Sequence, residues 1–140
     1  MSLPFDPKPG TVVICDFRGF VEPEMVKPRL CVVISPRRRD GVKLCTVVPL
    51  STTVPYDVKP YHRLLTIDPP LPRFDSPTCW LKGDMVYTLS YDRMNLPFSK
   101  DRNGGRTYHT FIFSKEEIAN IRSCVVRAMG IMVQSLTGVG

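Results

Sequence analysis

Leu30-Cys31-Val32-Val33-Ile34-Ser35 and Val42-Lys43-Leu44-Cys45-Thr46-Val47-Val48-Pro49-Leu50 are two apolar runs separated by Pro36 and a polar tip, Arg37-Arg38-Arg39-Asp40-Gly41. Short runs rich in valine suit a pleated strand. Asp-Gly between them is a turn pair, because glycine takes the positive φ that a tight reversal needs. The stretch therefore predicts a β-hairpin. A tip near Arg38 has a consequence at the other end. Arg29, directly before the first run, and Ser51, directly after the second, fall close together although they are 22 positions apart in sequence.

Outward from this hairpin the chain continues in short strands. Thr11 to Phe17 follows a Pro9-Gly10 turn signal, Tyr61 to Ile67 reads as a fourth strand and Cys79 to Leu89 as a fifth. Thr107 to Phe113, after Asn103-Gly104-Gly105, is a candidate sixth. One helix follows. Ser114 and Glu117 have the spacing of a capping box, and Ile118, Ile121, Val125, Ala128, Met129 and Met132 form one apolar stripe expected to cover the sheet. Fourteen prolines in 140 residues suit a turn-rich β domain and not a helical bundle. The expected fold is mainly β with a C-terminal α-helix, a small antiparallel barrel in one domain spanning residues 1–140.

Composition narrows the function. Lys and Arg number 19 against 13 acids, a net charge of +6, which favours a polyanionic partner. No apolar run approaches the roughly 20 residues of a membrane span, and the N-terminus carries no signal-peptide pattern, so a cytoplasmic location is expected. The five cysteines include no C-x-x-C pair and only two histidines accompany them, so no metal and no cofactor are expected. Cys15, Cys31 and Cys45 sit inside apolar runs and read as small buried hydrophobes.

Guanidinium grips phosphate oxygens in a planar fork and keeps its charge, so Arg29 beside the hydroxyl of Ser51 is a candidate phosphate site. Spacing alone favours a plainer reading, a surface arginine and a polar turn. Arg37, Arg38 and Arg39 read first as a solvated turn, and otherwise as phosphate contacts. Phe20 and Tyr56, in polar loops, are the better candidates for stacking on unpaired bases; Trp80, in mid-strand, reads as core.

Four motifs taken together, Pro9-Gly10-Thr11-Val12-Val13, Lys27-Pro28-Arg29-Leu30-Cys31-Val32-Val33-Ile34-Ser35, Val47-Val48-Pro49-Leu50-Ser51-Thr52 and Lys82-Gly83-Asp84-Met85-Val86, closely resemble the MazF/PemK toxin family. The resemblance runs from about Lys8 to Tyr91, and the helix at Ser114 fits the family's last element. Asn95 to Tyr108 is longer than in compact members. The resemblance implies an SH3-like barrel and a homodimeric, ribosome-independent endoribonuclease held in check by an acidic antitoxin. It places Arg29 at the family's active-site arginine, and Ser51 where many members carry threonine. Asp84 falls at the acid of a D-Q-V-like strand, and Lys82 where PemK-type members carry arginine. Phe17 to Lys27 contains no histidine, so the role some relatives give one there is absent or falls to Arg18 or Glu22.

The expected partner is single-stranded RNA, cut without metal to a 2′,3′-cyclic phosphate and a 5′-hydroxyl. Arg29, Ser51, Asp84 and Lys82 are the expected catalytic set, with Arg18, Phe20, Lys27, Arg37, Arg38 and Tyr56 as RNA contacts. Two other readings remain: a CcdB-like topoisomerase poison without nuclease activity, and an RNA-binding domain whose catalysis has decayed.

Overall fold

The computed structural model describes residues 2–72, 74 and 76–132. Its organising strand is β3 (Leu44–Ser51), which pairs antiparallel with β2 (Arg29–Val33), Cys31 opposite Pro49 and Val33 opposite Val47. The expected hairpin is therefore present. At its tip the Asp40 carboxylate accepts from Val42 N at 3.1 Å, and Gly41 has φ +80°, which only glycine adopts without strain.

The far edge of β3 is shared by two strands. Residues Leu44 to Val47 pair with β6 (Tyr87–Ser90), and Leu50 and Ser51 pair with β5 (Thr78–Lys82). The single strand expected over Cys79 to Leu89 is thus two strands, broken by a turn that Met85 N closes on Lys82 O at 3.0 Å. Packing forces the break. Gly83 N donates to Tyr61 O at 3.0 Å, and a Cβ at Gly83 would stand 2.5 Å from that same oxygen. Asp84 consequently lies exposed on the turn, not on a strand.

This divided edge also explains a proline inside a central strand. Thr46 turns both main-chain groups toward β2, receiving Ile34 N and donating to Ser35 Oγ, each at 2.9 Å. Alternation then aims the Pro49 nitrogen away from β2, into the gap between β6 and β5, where no ladder bond is lost.

β1 (Val12–Cys15) pairs with β2, and the short β7 (Met94–Asn95) pairs with β1. β4 (His62–Thr66) pairs with β5, giving the path β4-β5-β3-β2-β1-β7 with β6 beside β3. The expected small barrel is an open, barrel-like sheet of seven strands, its path ending at β4 and β7. Alternate side chains of the central strands enter two cores. Val12, Leu30, Val32, Val48 and Leu50 join one with Ile118, Ile121, Cys124 and Val125 of the helix; Val13, Cys31, Val33 and Val47 join the other with Phe17, Tyr91 and Met94. Burial on both faces is why these strands read as unbroken apolar runs.

The helix α1 (Lys115–Ala128) begins as expected, with Ser114 Oγ accepting Glu117 N at 3.1 Å. The Glu117 carboxylate, however, is gripped by Arg63 of β4 at 2.7 and 3.1 Å, tying the helix to the sheet edge. The apolar stripe is shorter than the periodicity suggests. Met129 caps the helix, Gly130 turns the chain at φ +80°, and Met129 and Met132 are 66% and 70% exposed.

Thr107 to Phe113 is not one strand. Asn95 to Tyr108 instead holds a separate hairpin, β8 (Phe98–Lys100) with β9 (Arg106–Tyr108), outside the main sheet. The chain then returns to the edge of β1, where Val12 N donates to Phe111 O at 2.9 Å and Thr11 bridges Ile112.

Candidate active site

Register assembles the site. Cys15 stands opposite Arg29, and extending the β2–β3 register by two residues sets Arg29 opposite Ser51. Ser51 in turn faces Trp80 of β5. Arg29 and Ser51 both line a cavity of about 460 Å³ with an apolar floor of Ile14, Leu30 and Leu50. Its opposite wall comes from the β4–β5 loop, through Pro72, Phe74 and Ser76. The shared pocket expected from hairpin geometry is present.

The two polar groups are in different states of commitment. The exposed Arg29 guanidinium has no hydrogen-bond or ion-pair partner among the described residues, leaving its full donor fork for a ligand. Ser51 Oγ accepts Thr53 N at 3.1 Å. That bond occupies a lone pair and leaves the hydroxyl hydrogen available, so Ser51 can donate to an oxyanion in the cavity.

Arg29 also walls a second cleft, about 540 Å³, formed by Glu22 to Lys27 of the loop joining β1 and β2. Lys27 and Glu22 therefore lie in the cleft adjoining the Ser51 cavity. Met25 N donates to Tyr87 Oη at 2.9 Å, and Phe17, Phe20 and Tyr87 pack with ring centroids 5.0 to 5.5 Å apart, fixing this loop to the sheet. Arg93 lies 5.1 Å over the Phe20 ring, so Phe20 is engaged on several sides as part of the loop's anchor.

Other expected residues stand apart from the cavity. Lys82 sits opposite His62 at the end of β5, and Asp84 is on the following turn; neither lines the cavity. Arg18 donates to Asp16 Oδ2 at 2.8 Å, and the Arg18 main-chain N–H, with its guanidinium, holds the Asp16 carboxyl below its usual range. Arg37 and Arg38 belong to the hairpin tip, the opposite end from Ser51. There Arg38 forks Asp40 at 2.7 and 3.2 Å, and that pairing lowers the Asp40 carboxyl to about 2. Tyr56 is fully exposed on the loop that follows Ser51.

All five cysteines are free and buried. Burial pushes the Cys45 and Cys79 thiols up to about 12 and the Cys31 thiol well above its ordinary value, so these three stay protonated and inert. Among the described residues no three His, Cys, Asp or Glu side chains are grouped for a metal ion. No described helix is long and apolar enough to cross a membrane. The sequence reading missed the wall of Pro72, Phe74 and Ser76. Its proline-rich loop was legible as a loop, but no local signal says which strand ends a loop will cover.

An antiparallel, barrel-like sheet followed by one C-terminal helix is the MazF-like class of fold. Residues 8–128 match the family of PemK-like, MazF-like toxins of type II toxin-antitoxin systems, and the chain belongs to that family. The putative uncharacterized protein YifN of Escherichia coli K12 is 28% identical over 92% of this chain and 95% of its own. MazF from Deinococcus radiodurans superposes with a TM-score of 0.61 at 16% identity, covering 91% of this chain and 99% of that one. A mycobacterial endoribonuclease solved in complex with its cognate antitoxin has a TM-score of 0.55 at 18% identity, covering 91% and 96%. These structural likenesses establish the fold.

Proposed function

We propose that this chain is an endoribonuclease toxin that cuts single-stranded RNA without a metal, leaving a 2′,3′-cyclic phosphate and a 5′-hydroxyl. The observation that carries this reading is the uncommitted Arg29 guanidinium opposite Ser51 over one cavity. Family membership and endoribonuclease structural neighbours support it. RNA supplies its own nucleophile. The 2′-oxygen loses its proton and bonds to phosphorus, the bond from phosphorus to the 5′-oxygen breaks, and that oxygen takes up a proton. Negative charge accumulates on the non-bridging oxygens between these events. A preorganised guanidinium there is worth about 10²–10³ in rate, comparable to one oxyanion-hole donor. Arg29 fills that role, and the Ser51 hydroxyl donates to the same phosphate. Proton transfer adds about 10²–10⁴. Asp84, with Lys82 as a phosphate contact, is the expected group for it, but both lie outside the cavity, so this assignment requires the scissile phosphate itself, and not only the flanking strand, to reach the turn after β5. Glu22, across Arg29, is the competing carboxylate.

The chain acts as one domain in the cytoplasm, as a homodimer. Its antitoxin lays an extended acidic segment over the Arg29 cavity and the basic groups around it. The deciding experiment incubates purified protein and Arg29→Ala with mixed single-stranded RNA, with and without excess EDTA. Cleavage by the wild type alone, unchanged by EDTA, is expected. Binding without cleavage selects a decayed RNA-binding domain. Neither, with growth arrest on expression, selects the topoisomerase poison.

A further inference from the structure

The hairpin of β8 and β9 takes no part in the core or in the Arg29 cavity, and its composition is unlike the rest of the surface. Residues 100–108 are exposed throughout. Phe98 faces Tyr108 and Lys100 faces Arg106, so two aromatic rings and two cations share one face of the ribbon. The rings stand 5.9 Å apart, and the Arg106 guanidinium lies 4.3 Å over Phe98. Arg102 adds a cation at the tip. The one acid there, Asp101, holds the turn, its Oδ1 accepting Asn103 N at 2.9 Å and Gly105 N at 2.7 Å, and its single charge stands against the three of Lys100, Arg102 and Arg106. What the hairpin presents outward is therefore cationic and aromatic.

Its root has a definite position. Asn95 pairs with Ile14, Ile14 with Leu30, and the continued β2–β3 register sets Leu30 opposite Leu50. Ile14, Leu30 and Leu50 floor the Arg29 cavity, so Asn95 is the next position in the same cross-strand row. Three strand spacings, about 14 Å, separate Leu50 from Asn95 along that row. The hairpin leaves the sheet there and rejoins it at Phe111 and Ile112.

We propose that this hairpin is a second docking point for the RNA strand, gripping phosphates with Lys100, Arg102 and Arg106 and stacking a base on Tyr108 beyond the point of cleavage. The assignment rests on the nuclease reading above and adds to it an extended substrate track running from the Arg29 cavity past Ile14. Charge complementarity favours a polyanion, and the interleaved rings favour one whose bases are unpaired.

The test measures binding of 2′-O-methyl RNA, which lacks the attacking hydroxyl, by wild type, a Lys100→Ala, Arg102→Ala, Arg106→Ala triple variant, and Tyr108→Ala. A dinucleotide probe is confined to the cavity, because even about four stacked nucleotides would span the roughly 14 Å to the hairpin root, and a probe of about 16 nucleotides reaches the hairpin. The triple variant is expected to bind the long probe at least about tenfold more weakly while the short probe is unchanged. Its salt slope should fall by about 0.7 for each phosphate that the hairpin no longer neutralises. Replacing the two arginines by lysine should restore most of the affinity, which excludes a folding defect. Equal binding of the long probe by wild type and triple variant, with the wild type cleaving RNA normally, overturns the hairpin assignment alone. A wild type that neither binds nor cleaves RNA removes the nuclease reading, and this assignment with it. Loss of binding to a synthetic acidic peptide, with RNA binding intact, makes the hairpin a protein-docking surface and also overturns the proposal.

Discussion

The two ends of the central hairpin carry the same residue type in opposite circumstances. At the tip, Arg38 has an acid two residues away, and the fork to Asp40 satisfies it locally. At the open end, Arg29 follows Pro28 and its guanidinium forms no ion pair with any acid among the described residues; a cavity lies beside it instead. Charge density in the sequence points to the tip, with three consecutive arginines. The structure points to the open end. The contrast teaches that a cation becomes available for a ligand when its neighbourhood withholds an acceptor, which a count of charges does not register.

Removing each cation in turn tests whether the two ends differ. Arg29→Ala should lower the cleavage rate by about 10²–10³ without moving the thermal midpoint, because it takes away charge stabilisation and no packing. Rate assays with a fluorogenic oligonucleotide, alongside a melting curve, measure both. An equal loss from Arg38→Ala would erase the distinction. Next in size is the choice of carboxylate. Asp84→Asn and Glu22→Gln should separate in kcat by at least about tenfold, and the variant that also flattens the acid limb of the pH–rate profile marks the base. Ser51→Ala should cost about tenfold, since it removes one neutral donor, and Ser51→Thr should cost little. The smallest effect belongs to Arg38→Ala itself. Less than a twofold change in rate is expected, with a salt slope lowered by at most about 0.7 in filter-binding titrations.

The ion pair of Arg63 and Glu117 serves the fold, away from the Arg29 cavity. The Arg63 fork on Glu117 lowers the carboxyl's folded-state pKa below its ordinary value. A carboxyl depressed by folding stabilises the protein above its unfolded pKa, and that contribution fades as pH falls through the folded one. Wild type should therefore lose stability to Glu117→Gln at neutral pH, by about 0.5–1 kcal/mol for a pair this exposed, and the two should converge in acid. Urea midpoints across pH 2 to about 7 show the convergence, or its absence.

Legibility in the sequence followed range. The central hairpin, the Ser114 cap and the buried cysteines are governed by neighbours within a few residues, and the chain declares them. Arg29 meeting Ser51 was readable because antiparallel pairing converts a turn position into a long-range encounter. Gly83 was not. Its break follows from the carbonyl of Tyr61, just before β4, pressing against it from a distant part of the chain, which no local pattern announces. The same holds for the Pro72, Phe74 and Ser76 wall, and for Met129, which caps the helix, and Met132, which lies past the turn at Gly130.

Pro49 touches no substrate, yet it acts as a ratchet pawl for the site. Sliding β3 by one residue against β2 would swing its ring nitrogen into the β2 ladder and leave a missing donor there, while moving Ser51 out of line with Arg29. The same imino acid thus penalises the misaligned hairpin and protects the aligned one. Alignment of Arg29 with Ser51 is in this way enforced by a residue that does not itself line the cavity.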